Sequence, residues 1–121
     1  MIKKTIKVPL YDYKIILLEI ESKEEKSSVL KICNHYNIDE RVVEEISSNI
    51  ENDCYNGGIT CHNSNSRTIV VLLYRQTNEV VRRRVINHEK RHVEDFILQH
   101  LDIDDSEASA YLAGFLSEKI Y

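Results

Sequence analysis

Apolar residues recur along this chain first at strand spacing and then at helix spacing. Ile2 to Val8 and Tyr13 to Ile20 are rich in Ile, Val, Leu and Tyr and are parted by Pro9, which predicts two strands or one interrupted strand. Ser22 followed by Glu24 and Glu25 marks a helix start, and Val29, Leu30, Ile32, Cys33 and Tyr36 then recur at helical spacing until Asn37 breaks the pattern. Asp39 is placed to cap a second short helix whose apolar stripe is Val42, Val43, Ile46 and Ile50. Asn56, Gly57 and Gly58 are turn residues, and the polar run His62 to Ser66 reads as another turn. That leaves Ile59 to Cys61 and Thr68 to Tyr74 as strands, the second apolar enough to be central. From Asn78 the period is helical to about His100, and after the acidic connection Asp102 to Asp105 a last helix runs to about Lys119. The expected fold is α+β, a small antiparallel or mixed sheet packed against helices with a C-terminal helical pair, in a single domain spanning residues 1–121.

With 42% hydrophobic and 30% charged residues the chain has the composition of an ordinary globular domain. Its net charge of -4 gives no general attraction to phosphate, so a nucleic-acid partner is not expected; Arg82, Arg83 and Arg84 form the one basic cluster that could attract one. The apolar stretch after Lys3 and Lys4 is broken by Lys7, Pro9, Asp12 and Lys14, which leaves neither a signal-peptide core nor a membrane span. Cys33, Cys54 and Cys61 are odd in number and lack C-x-x-C spacing, so neither a disulfide framework nor a cysteine zinc knuckle is expected, and a reducing cytoplasm suits them.

The chemistry is concentrated in His88, Glu89, Lys90, Arg91 and His92, which spell H-E-x-x-H on the long helix. Side chains at i and i+4 share a helix face one turn apart, so the two imidazoles can bind one zinc ion. Glu89 is rotated from His88 by roughly 100°, which places it beside such a metal as the base for its water. Val81, Val85, His88, His92 and Phe96 form one stripe, and Ile86, Glu89, Val93 and Ile97 form the next. Both are otherwise apolar, so the two histidines and the glutamate are expected on the inward face, with Arg83, Lys90, Arg91, Glu94 and Asp95 toward solvent. Three unpaired polar groups there would cost about 1 to 3 kcal/mol each, which a metal and its water would offset. A hydrogen-bonded core cluster is the reading that needs no metal.

A catalytic zinc takes three protein ligands and one water, so a third ligand is required. Glu107, at the start of the last helix, is the first choice, because that helix returns antiparallel and Ala110 and Gly114 would let it approach closely. The rival role for Glu107 is a capping box with Asp104. His100, Asp102, Asp104 and Asp105 are weaker candidates, and His62 could reach the site only if its hairpin folds over it. Tyr111, one turn past Glu107, could support the ligand or an oxyanion, although a tyrosine at that spacing also suits a core.

The His88 to His92 motif, the acidic connection and the run Ser106 to Gly114 together resemble the small H-E-x-x-H zinc-metallopeptidase-like proteins of phages and mobile elements, and more loosely the ImmA/IrrE-type metallopeptidases. The likeness covers about the last third of the chain and the strand before it. It implies a gluzincin-like arrangement in which His88, His92 and Glu107 hold zinc and Glu89 activates water, with an edge strand of the preceding hairpin receiving an extended peptide. Arg91 departs from that pattern, which often has a small residue before the second histidine. The expected function is therefore zinc-dependent hydrolysis of a peptide bond in one specific protein substrate, since a small open domain suits little general proteolysis. The alternative is a non-catalytic zinc-containing module that acts by contacting a partner protein.

Overall fold

The structure is a computed structural model describing residues 1–53 and 57–121. Four strands form one mixed sheet: β1 (Ile2–Val8), β2 (Tyr13–Ile20), β3 (Gly58–Asn63) and β4 (Thr68–Tyr74), in the spatial order β1-β2-β4-β3. β1 and β2 form an antiparallel hairpin with Ile6 opposite Ile15, and β3 and β4 form another with Cys61 opposite Val70. The two hairpins join through β2 and β4, which run parallel with Leu17 opposite Val71. The chain between them passes through a one-turn 3-10 helix, Lys23–Glu25, then α1 (Lys26–His35) and α2 (Glu40–Glu51). After β4 come α3 (Glu79–His100) and α4 (Ser106–Lys119).

Both faces of the sheet are covered, which is why β2 and β4 read as nearly continuous apolar runs. Successive strand side chains point to opposite faces, so Ile15, Leu17, Ile69, Val71 and Leu73 meet Ile86, Val93, Ile97, Leu112 and Leu116 of α3 and α4. Ile16, Leu18, Ile20, Val70 and Leu72 instead meet Val29, Cys33, Ile46 and Ile50 of α1 and α2. The sheet is the middle layer of three. β1 buries only Ile6 and Val8 and closes one edge with Lys3, Lys4 and Lys7 in solvent, a charge pattern that discourages pairing with another chain.

Each of the three long helices starts where a short polar side chain can satisfy its first amides. Asp39 accepts from the Arg41 amide, Asn78 from those of Val80 and Val81, and Asp105 from those of Glu107 and Ala108. The cap of α4 is thus Asp105 and not Asp104, and Glu107 falls in its first turn with its own amide engaged by that cap. Gly114 is exposed with open space where a side chain would be, so α4 does not use its small residues for close approach; it packs through Leu112, Leu116 and Ile120. His62 and Asn63 belong to β3, and the turn begins at Ser64. Asn56, expected in a turn, and Cys54 lie outside the described residues. Among the described residues no helix is long and apolar enough to cross a membrane.

Candidate metal centre

The inner face of α3 decides where the motif lies. With 3.6 residues per turn, Ile86, Glu89, Val93 and Ile97 fall within roughly 60° of one direction, and all four are buried. His88, His92 and Phe96 lie roughly 80–160° to one side, and both histidines are exposed, the His88 side chain to 70%. The expectation that the histidines share the buried face is therefore corrected: of the three motif residues only Glu89 does, at 4% exposure. Glu94 is corrected the other way. It is buried at 7% exposure because it lies on the opposite flank and pairs with Lys90 at 2.9 Å.

The histidine flank faces β3, the strand at the free edge of the sheet. Gly58, Thr60 and His62 share one face of β3 and line an open cleft of about 480 Å³ with His88, Glu89, His92, Asp95 and Phe96. The Thr60 hydroxyl donates to Glu89 Oε1 at 2.8 Å. The other carboxylate oxygen, Oε2, lies 4.0 Å from His88 Nε2. Gly58 makes room for this arrangement: a Cβ there would lie 2.6 Å from the Leu72 carbonyl oxygen and 3.2 Å from Glu89 Cγ.

His88 and His92 bring their Nε2 atoms to 3.2 Å, with their rings nearly perpendicular. Zinc bonds of about 2.0–2.1 Å at a tetrahedral angle separate two ligand nitrogens by roughly 3.3–3.4 Å. The spacing is close to that of two zinc corners, and it is also that of an N–H···N hydrogen bond between the rings. Among the described residues no group of three or more His, Cys, Asp and Glu side chains is assembled to hold a metal, so the third corner is not preformed.

Glu107 is not placed to complete the site. Tyr121 hydrogen-bonds Asn87 and carries the Arg83 guanidinium 5.3 Å over its ring, both on the flank of α3 away from the histidines. Tyr111 packs edge-on to Tyr11 at 6.4 Å and stacks near Phe115. Neither Glu107 nor Tyr111 lines the cleft.

No protein family, curated protein or solved structure matches this chain. The centre is therefore understood from its own geometry.

A row of rings leads away from the cleft, which His62 and Phe96 line. His62 stacks on Phe96 at 3.6 Å, Phe96 lies parallel to His100 at 5.8 Å, and the Tyr13 hydroxyl hydrogen-bonds His100 Nδ1. Burial pushes the His62 imidazole below its ordinary value, favouring the neutral ring. The free edge of β3 is a wall of the cleft. The Tyr74 amide bonds the Gly57 carbonyl, which fixes Gly57 as a hydrogen-bonded partner of β4; by alternation the backbone groups of Gly58, Thr60 and His62 point away from the sheet.

Of the three arginines, two are matched by acids. Arg82 makes a forked pair with Glu19 at 3.0 and 3.2 Å, which raises its already high pKa, and Arg83 lies 3.3 Å from Glu79. Sequence reasoning missed Thr60, Gly58 and Asp95 as cleft residues. The contact from Thr60 to Glu89 joins positions 29 apart and has no local signal.

Proposed function

We propose that this protein is a zinc-dependent metallopeptidase that hydrolyses a peptide bond in a specific protein substrate. One observation carries the reading: a buried glutamate held by Thr60 stands beside two histidines spaced for a shared metal, under an unpaired strand edge. His88 and His92 would hold the ion through Nε2. Bound zinc supplies a Lewis acid that makes water acidic and polarises a carbonyl.

Glu89 does the proton work. Its Oε1 is committed to Thr60, so Oε2, on the side of His88, takes the proton of the attacking water and returns it to the departing amine. Gly58, Thr60 and His62 offer outward amides and carbonyls that would align an extended peptide as an added strand along the cleft. Free, buried Cys33 and Cys61 suit a reducing compartment such as the cytoplasm.

The test is zinc content per chain for native protein and for His88→Ala, His92→Ala and Glu89→Gln, followed by mass-spectrometric detection of cleavage in a peptide mixture. Near-stoichiometric zinc in native protein and Glu89→Gln, loss in both histidine variants, and cleavage by native protein alone would establish the activity. Native protein that takes up no zinc at neutral pH would end the reading. A second reading, a zinc-containing interaction module without turnover, would be favoured by a fourth protein ligand that closes the zinc; zinc without cleavage, by native protein and Glu89→Gln alike, would select it.

A further inference from the structure

We infer that His62, on the edge strand, is the third protein ligand of the metal held by His88 and His92. The inference rests on the zinc reading above and changes where the site is completed: from β3, not from α4.

The cleft contains few alternatives. Among the described residues its other ligand-type side chains are Glu89 and Asp95. Glu89 is fixed by Thr60 and serves as the base. Asp95 is engaged by Arg91 at 3.3 Å. Glu107 does not line the cleft.

His62 has the position and the freedom. It shares the cleft-facing side of β3 with Thr60, two residues away and already in contact with the motif. Its ring rests on Phe96, which follows His92 by one turn, and side chains so spaced have Cβ atoms about 5–6 Å apart. Apart from that stack, no hydrogen bond from its ring nitrogens is found among the described residues. Metal binding would turn the imidazole about its own side-chain torsions, from the Phe96 face toward His92. The result is a three-histidine set with the fourth position left to water, beside Glu89.

Zinc affinity measured against a competing chelator tests this in native protein, His62→Phe, Glu107→Gln and His92→Ala. Phenylalanine keeps the stack on Phe96 but cannot ligate. His62→Phe is expected to weaken binding by roughly 100-fold or more, beyond the 10- to 100-fold typical of outer groups, while Glu107→Gln binds like native protein. Native affinity in His62→Phe, or loss in Glu107→Gln, overturns the inference while leaving the zinc site intact. No binding by native protein defeats the zinc reading itself, and this inference with it. Should His62→Phe fail to fold, the ring-nitrogen resonances of native protein decide: on zinc addition those of His62 should shift with those of His88 and His92, and if they stay in place the inference is overturned.

Discussion

The Thr60 hydroxyl donates to Glu89 Oε1 at 2.8 Å and so ties the edge strand to the middle of the long helix. Glu89 lies on the inward face of α3 between Ile86 and Val93, where an unpaired carboxylate oxygen would be costly. Strand and helix are thus held together at the point where the chemistry is proposed.

Replacing Thr60 by valine keeps the shape and removes the donor. The variant should lose about 1 to 3 kcal/mol of stability in urea unfolding. A midpoint equal to that of native protein would mean that water replaces the hydroxyl without penalty and that Thr60 does not orient Glu89.

Two glycines should respond in opposite directions to alanine. At Gly58 the new methyl would sit 2.6 Å from the Leu72 carbonyl oxygen and 3.1 Å from Leu73 Cδ2, and the overpacking should cost about 1 to 3 kcal/mol. At Gly114, within α4, nothing lies within 4 Å, and removing glycine's backbone freedom should stabilise by about 0.5 to 1 kcal/mol. Denaturant melts of the pair check both signs.

Zinc should stabilise the fold by mass action. At a free concentration about a hundred times its Kd, a ligand that binds only the native state adds about 2.7 kcal/mol. Thermal melts should rise with zinc in native protein and not in His92→Ala; equal rises in both would place the ion elsewhere.

In metal-free protein the lowered pKa of His62 makes stability depend on pH. The folded state resists protonating this ring, so below the ordinary value of 6.5 the unfolded chain binds more protons. Stability should therefore fall as pH drops from about 6.5 toward the lower folded value, and the fall should be shallower in His62→Phe. Identical pH profiles would show that His62 titrates normally.

Most of the fold could be read from spacing. β2 and β4 were visible as nearly continuous apolar runs and α3 by its helical period, and Asp39 and Asn78 marked helix starts that the structure keeps. The site was harder. Two neighbouring stripes on α3 looked equally apolar, and only the packed sheet shows that Ile86, Val93 and Ile97 win, leaving the histidines beside β3. On the other flank Leu98 and Leu101 pack against the core, and the Lys90–Glu94 pair is buried with them, which a pattern of charges alone presents as solvent. His62 was hidden in a polar run. Its neighbour Asn63 carried the clue, since its side chain accepts from the Asn65 and Ser66 amides and so marks where the turn begins.

The parallel pairing of β2 with β4 sets the order in which the molecule can assemble. Partners such as Lys14 and Thr68 stand 54 positions apart, with α1, α2 and β3 between them. Each hairpin can close early from local contacts, but the two must find each other across that long loop, a search that slows folding. α3 follows β4 in the chain and needs the joined sheet beneath it. On the ribosome the histidine motif would therefore emerge only after all four strands, and the cleft between α3 and β3 could not form before the sheet that supports it.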